Sequence, residues 1–395
     1  MTKIDELLTR AVANIIPGKP ELKKLLESGK KLNIYLGIDP TATKIHLGHA
    51  VPLRKLQEFA SMGHNVTFLI GDFTALVGDT SDKDTERPVL TPEQIEANFQ
   101  TYKKQAEKIV DFSKVTVVHN SEWLSKLDFN KVIKLVREFS LNDFIGRELI
   151  KKRLEQNTHV GLLETMYPLM QGYDSYHLNT DIQLGGTDQT FNMQAGRTLL
   201  KRWKNKESFI IANPFLEGTD GRKMSKSWGN AIWLDDTPTD MYAKVMAIKD
   251  DLIIQYFTLG TSLSLEAIDQ MDKDLKAGQH PMHIKQLLAI QIVTELSGKE
   301  EATRAQEHFQ KTVQQKQLPN QVEEVILDAS ELPLMDLLVK TGLATSNAEA
   351  KRLVEQGGVE IDNERMTDSK SEIIIKEPII VKVGKRKIVR ITTNK

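Results

Sequence analysis

Apolar and polar positions along this chain switch repeatedly between a period of two and a helical period. The run LNIYLGI (32–38) reads as a buried strand that ends at Asp39-Pro40. After a short loop, HLGHAVPLRKLQEFASMG carries helical spacing through Leu53, Leu56 and Phe59 to Ala60. NVTFLIGDFTALVGD opens as a second strand, an amphipathic helix follows over about 92–110, and KVTVVHN is a third strand. Strands alternating with helices at this spacing predict an α/β domain with a parallel sheet. The stretch 123–176 reads almost wholly helical, as an insertion between two halves of the sheet. DIQLGG, the helix FNMQAGRTLLKRW and the strand FIIANP then resume the pattern, and the loop LEGTDGRKMSKSWGN follows.

From about 238 to 315 the periodicity is helical, and QKQLPNQVEE has linker composition. Beyond Leu332 the pattern changes again. PLMDLLVKTGL and SNAEAKRLVEQGG are short helices. VEIDNERM and PIIVKVGKRKIVRI are hairpin-like strands turning at Asp362-Asn363 and Gly384-Lys385. The expected division is an α/β domain over 1–232, with its insertion at about 123–176 and a glycine-flanked loop at 218–230. An α-helical domain over 233–320 and a small α+β unit over 332–395 complete it.

The length of 395 residues suits two or three domains. The absence of cysteine removes disulfides, thiolate zinc sites and a cysteine nucleophile together. The N-terminal stretch MTKIDELLTRAVANII is amphipathic and charged, unlike a signal peptide. No apolar run approaches the ~20 residues of a membrane span. A cytoplasmic protein without a membrane partner is expected. Net charge is −1, but residues 333–395 hold 12 basic and 9 acidic side chains, so this end is +3 and the rest −4. A basic end on an acidic body is an electrostatic footprint for nucleic acid, or a strand edge kept soluble by its charge.

Two short motifs carry candidate chemistry. His46-Leu-Gly48-His49 opens a helix just after a strand and loop. A helix N-terminus there offers free N–H groups to a phosphate, the two histidines are three apart on one face, and Gly48 lets a nucleotide approach the backbone. Capping or core histidines are the plainer reading, and zinc lacks a third ligand nearby. Lys223-Met-Ser225-Lys226-Ser227 lies in a loop flanked by Gly218, Gly221 and Gly229. Two lysines and two hydroxyls on such a loop can close over a polyphosphate, although most basic loops are only solvated. No G-x-x-x-x-G-K-[ST] loop is present, which removes the P-loop kinases.

HLGH and KMSKS in this order, about 175 residues apart on an α/β background, resemble the two signatures of class I aminoacyl-tRNA synthetases. The resemblance implies a Rossmann-like catalytic domain and places His46, His49, Lys223 and Lys226 on the ATP phosphates. Asp39, Thr41, Gly48 and Ser227 belong to the same implied ATP site. YLGIDPTATKIHLGH narrows the likeness to the tyrosyl and tryptophanyl branch. Tyr167, Gln171 and Asp174, at i, i+4 and i+7, share one helix face. In tyrosyl enzymes the matching residues make Tyr35 and Asp174 partners of the substrate phenol. Tyr167, Gln171 and Asp79 fall near its ammonium, Gln189 falls in the same pocket, and Gly186 and Asp188 face the ribose. Lys83 and Arg87 match basic residues that close on the transition state. The family more often has Pro and Gly where Thr80 and Asp82 stand here.

The C-terminal segment LPLMDLLVKTGLATSNAEAKRLVEQGGVEIDNERM resembles a small RNA-binding domain shared with a ribosomal protein, an appendage of bacterial tyrosyl enzymes. It makes Lys351, Arg352, Lys385, Arg386 and Lys387 candidate tRNA contacts. The implied substrates are tyrosine, tRNA(Tyr) and ATP with Mg²⁺, with no tightly held protein metal, and the insertion implies a homodimer. Rival readings are a tryptophanyl enzyme, an RNA-binding protein on an inactive scaffold, and another nucleotidyltransferase of this superfamily.

Overall fold

A computed structural model describes residues 2–79, 90–225, 228–314, 323–362, 364–375, 377–384 and 387–393. The chain forms two compact units, residues 1–307 and 308–395.

The first unit is built on a six-stranded sheet. Its strands are β1 (Asn14–Ile16), β2 (Asn33–Ile38), β3 (Asn65–Ile70), β4 (Val115–His119), β5 (Ile182–Gly186) and β6 (Phe209–Asn213), in the order β1-β6-β5-β2-β3-β4. All neighbours run parallel except β1, which pairs antiparallel with β6 through Ile15↔Ile211. The strands read as near-continuous apolar runs because helices cover both faces; β6 is buried at every position. β1 went unrecognised in the amphipathic N-terminal stretch. At three residues it is too short for a period, and its partner is about 200 residues away.

The order in which strands are added to the sheet reverses between β2 and β5. From β2 the sheet grows through β3 and β4; the insertion then carries the chain back to β5 on the other side. Such a switch point opens a crevice at the carboxyl ends of the strands. The insertion comprises the helices Ser121–Leu124, Phe129–Val136, Leu141–Ile145, Glu148–Glu155 and Leu162–His177. Arg153 and Glu164 brace it with a buried two-pronged pair, 2.7 and 3.1 Å long. Helix Leu162–His177 lies close against helix Thr190–Lys204 because each presents a glycine: a Cβ on Gly172 would meet Ala195, and one on Gly196 would meet Ser175.

The helices Pro238–Met246, Ile253–Gly260, Leu265–Lys276 and Pro281–Ser297 fall in the same compact unit as the sheet, although their periodicity suggested a separate domain. The reason is specific bonding. Tyr256 donates to the Glu217 carbonyl at 2.7 Å, and Arg54 pairs with Glu295 at 2.6 Å.

The second unit holds β7 (Glu323–Leu327), β8 (Glu331–Pro333), β9 (Val359–Ile361), β10 (Glu364–Arg365), β11 (Glu372–Ile374), β12 (Ile379–Val383) and β13 (Lys387–Thr393). Five of them form a sheet in the order β10-β9-β12-β13-β7, and β8 pairs with β11. Leu334, Leu337, Leu338, Val354, Val359, Val381 and Ile391 fill its core. β7 pairs parallel with β13. Strand structure thus begins at Glu323, inside the segment whose composition suggested a linker. The stretch is only five residues long and takes its partner from the far end of the chain.

Candidate active site

The crevice at the switch point is a cleft of about 240 Å³. β2 contributes Tyr35 and, just past its end, Asp39 and Thr41. Asp79 follows β3, Asn120 follows β4, and β5 leads to Asp188 and Gln189. Helix Leu162–His177 adds Tyr167, Gln171 and Asp174, and helix Leu47–Ser61 adds His49. All six residues expected around tyrosine therefore line one cleft, together with Asp39, Thr41, His49 and Asp188 from the expected ATP set.

A continuous hydrogen-bonded chain forms its floor. Asp174 accepts from the Trp123 indole at 2.7 Å and from Asn120 Nδ2 at 3.1 Å. Asn120 Nδ2 also donates to Thr74 Oγ1 at 3.0 Å, and Thr74 donates to Asp39 Oδ1 at 2.8 Å. Tyr167 donates its hydroxyl to Asp39 Oδ2 at 2.9 Å. Opposite, Gln189 Nε2 donates to Asp79 Oδ2 at 2.6 Å and is itself held by Asn192. Tyr35, 2% exposed, donates to Gln183 Oε1 over a long 3.3 Å.

Burial dominates the electrostatics. It pushes the Asp174 carboxyl up to about 7 from an ordinary value of 3.8, against the opposing pull of Asn120 and Trp123. Burial likewise raises the Tyr35 and Tyr167 phenols, with Asp174 adding to the first and Asp39 to the second. Both tyrosines are therefore neutral hydrogen-bonding groups at physiological pH.

His46 is the N-cap of helix Leu47–Ser61: its Nδ1 accepts from the Gly48 amide at 3.2 Å. His49 Nδ1 accepts from the His46 amide at 3.3 Å, and the ring centroids lie 4.0 Å apart. With each Nδ1 accepting, each Nε2 carries the proton and is a donor. Burial first, then His49 and Lys223, pulls the His46 imidazole down to about 2, so it stays neutral. Of the two histidines of HLGH, His46 is the cap of its helix, and His49 lines the cleft. A Cβ on Gly48 would sit 2.9 Å from His46 Nδ1, so a side chain there would push the capping ring aside.

Lys223 and Gly186 lie at the rim. The Lys223 ammonium rests over the Phe215 ring, 5.0 Å from its centroid. Its loop is pinned by Asn230, which accepts from the Ser225 amide at 2.9 Å and donates to Asp220 at 2.8 Å and to the Lys223 carbonyl at 3.1 Å. Lys226 and Ser227 lie outside the described residues, as do Lys83 and Arg87.

In the second unit, Lys351 and Arg352 are exposed on helix Asn347–Glu355, and Lys387 begins β13 and donates to the Leu343 carbonyl at 3.1 Å. Lys387 and Arg352 both help lower Glu349, whose largest influence is its bond from Thr345. Lys385 and Arg386 lie outside the described residues.

Sequence reasoning missed Asn120, Thr74, Trp123 and Gln183. Asn120 was discoverable in principle, because it ends a parallel strand beside the switch point. The other three acquire meaning only through their partners. Among the described residues no group of three or more His, Asp or Glu could hold a metal, and no helix is long and apolar enough to cross a membrane.

Residues 27–314 match the family tRNA synthetases class I (W and Y), and residues 314–391 match the tyrosine–tRNA ligase SYY-like C-terminal domain. A tyrosine–tRNA ligase of Carboxydothermus hydrogenoformans is 42% identical across 99% of this chain and 98% of its own. That of Thermotoga maritima is 41% identical across 98% and 96%. The structure of a C-terminally truncated mitochondrial tyrosyl-tRNA synthetase from Aspergillus nidulans superposes with a TM-score of 0.64 at 24% identity, covering 78% of this chain and 94% of that one, and shares the fold. With its family match spanning the switch-point cleft and its relatives matching from end to end, this chain belongs to the class I tRNA synthetases, in the tyrosine–tRNA ligase family.

Proposed function

We propose that this chain activates L-tyrosine with ATP, giving tyrosyl-adenylate and pyrophosphate, and then transfers tyrosine to the 3′ end of tRNA(Tyr). The observation that carries this reading is that a buried carboxylate, Asp174, and a buried phenol, Tyr35, line the same cleft close enough for the charge of one to act on the other. Asp174 accepts the proton of the substrate phenol. Tyr35 gives up its long bond to Gln183 and donates to the phenol oxygen. Phenylalanine offers Asp174 no proton and Tyr35 no acceptor, so Asp174 would keep only Trp123 and Asn120 and Tyr35 only its long bond to Gln183, and the hydrogen bond to the charged carboxylate alone is worth about 1.5–3 kcal/mol.

Tyr167 already donates its proton to Asp39, so its oxygen lone pair is free to accept from the substrate ammonium. Gln171, Asp79 and Gln189 complete that end. Gly186 and Asp188 take the ribose, and Asp39, Thr41 and Gly48 border the nucleotide. The tyrosine carboxylate, already ionised at neutral pH, attacks the α-phosphorus. The bond to the β-phosphate breaks, and pyrophosphate leaves with the electron pair. No general base is needed, so catalysis is positioning plus stabilisation of phosphate charge. His46 and His49 serve as neutral donors, while Lys223, with Lys226, Lys83 and Arg87, supplies positive charge, and Ser227 adds a hydroxyl. Magnesium enters as part of the ATP substrate complex. In the second step a ribose hydroxyl of the tRNA attacks the acyl carbon, losing its proton as AMP departs.

In this reading residues 1–232 are the catalytic domain, 233–320 face the anticodon side, and 332–395 bind RNA. Lys351, Arg352, Lys385, Arg386 and Lys387 contact tRNA phosphates there. The enzyme works in the cytoplasm as a homodimer. Support for the dimer comes from the insertion, where eight of the fifteen exposed large apolar side chains among the described residues cluster, Phe129 and Leu162 at 77% and 78% exposure. Sedimentation as a monomer at micromolar concentration would remove the dimer.

The test of function is ATP–pyrophosphate exchange with each proteinogenic amino acid, without tRNA. Exchange with tyrosine alone is expected. Exchange with tryptophan would overturn the pocket assignment, and none at all would overturn the activation chemistry.

A further inference from the structure

The loop after β6 carries two pairs of a cation and an exposed aromatic ring. The Lys223 ammonium lies over Phe215, and the Arg222 guanidinium lies 4.6 Å over the Trp228 ring. Both rings are open to solvent, Phe215 at 43% and Trp228 at 50%. Phe215 marks where the loop sits, because its edge lies 3.8 Å from where a Cβ on Gly186 would be, at the carboxyl end of β5. The Lys223–Phe215 pair therefore lies beside the carboxyl end of β5, where the cleft opens, and Arg222 and Trp228 belong to the same loop.

Trp228 is held rather than loose. Arg222 is fixed from its other side by Asp220, with Nε and Nη2 at 2.8 and 2.5 Å from one carboxylate oxygen. Asp220 is in turn held by Asn230 at 2.8 Å. A guanidinium so restrained keeps one face of the indole covered and its orientation set. The exposed part of the indole is a stacking platform beside a cation. Aromatic faces interleaved with basic groups bind single-stranded nucleic acid, taking bases by stacking and phosphates by charge.

The cleft below demands such a strand. For transfer, the terminal ribose must reach an acyl group deep in the crevice, so the unpaired nucleotides behind it must pass the mouth. Trp228 does not line the cleft itself, which separates it from the tyrosine and ATP positions. We propose that Trp228 stacks on an unpaired base of the tRNA 3′ end, with Arg222 beside the adjoining phosphate, and so is a positioning residue for the transfer step alone. This rests on the tyrosyl-transfer reading above.

The test compares Trp228→Leu and Trp228→Phe with the unaltered enzyme in two assays: tyrosine-dependent ATP–pyrophosphate exchange and aminoacylation of tRNA(Tyr). Exchange should be unchanged in both variants. The KM for tRNA should rise roughly 5- to 100-fold in the leucine variant and recover in part with phenylalanine. An unchanged KM for tRNA would overturn the proposal. Equal loss in both assays would also overturn it, by making Trp228 a brace for the loop. Failure of the underlying reading looks different: the unaltered enzyme itself would show no exchange with tyrosine.

Discussion

The Trp123 indole N–H donates to the Asp174 carboxylate from 2.7 Å, across 51 residues of chain, and fixes a buried carboxylate whose charge acts on the Tyr35 phenol. A buried acceptor positioned by two neutral donors keeps a definite direction for its remaining lone pairs. Trp123→Phe keeps the packing and deletes one donor. The KM for tyrosine in the exchange assay should rise roughly ten-fold or more, the worth of a hydrogen bond to a charged group. An unchanged KM would remove Trp123 from substrate recognition.

Asp174 also sets a pH dependence. Its carboxyl titrates near 7, raised from 3.8 by burial. An ionised carboxylate accepts from the phenol more strongly than a protonated one, so tyrosine affinity should strengthen as pH rises from 6 to 8, and Asp174→Asn should abolish the slope. The folded chain holds this proton more tightly than the unfolded chain. Between 3.8 and about 7 this group therefore lowers stability as pH rises, and above that range its effect is constant. His46, pulled down to about 2, should add no inflection there. Equilibrium tyrosine titrations across this range decide the matter.

Lys223→Ala should slow adenylate formation far more than it weakens tyrosine binding, by roughly 10²–10³ if its charge acts in the transition state. Pre-steady-state measurement of adenylate at saturating tyrosine reads this directly. A change confined to tyrosine affinity would contradict the role.

Asn230 touches neither substrate yet ties Asp220, Lys223 and Ser225 together. Asn230→Ala should lower the rate of adenylate formation while leaving the dissociation constant of tyrosine unchanged, because it frees the lysine-bearing loop and not the cleft floor. The split between the two constants is the readout; a parallel change in both would point to general destabilisation.

Gly196→Ala probes the helix contact behind the cleft. The new Cβ would lie 2.6 Å from Ser175 Cβ and 2.7 Å from Gln183 Oε1. Relief requires moving the helix or displacing Gln183 from Tyr35, at a cost of about 1–3 kcal/mol for overpacking. Denaturant unfolding should show that loss.

The sheet, its direction and the crevice were legible along the chain because strand and helix periods are local. Residues a few positions apart decide them, and β2 to β6 each carry a full apolar run. The HLGH and KMSKS segments were legible for the same reason, as short strings with distinctive side chains. β1 and β7 were not, since each is a brief stretch whose strand identity depends on a distant partner. Nor was the hydrogen-bonded floor. Asn120, Thr74 and Trp123 are unremarkable residues in sequence, and their role arises from burial at one point in space, where every polar group must find a partner or cost stability. The same holds for Asp174: its chemical type is written in the chain, but its titration near neutrality comes from the low-dielectric surroundings that folding assembles around it.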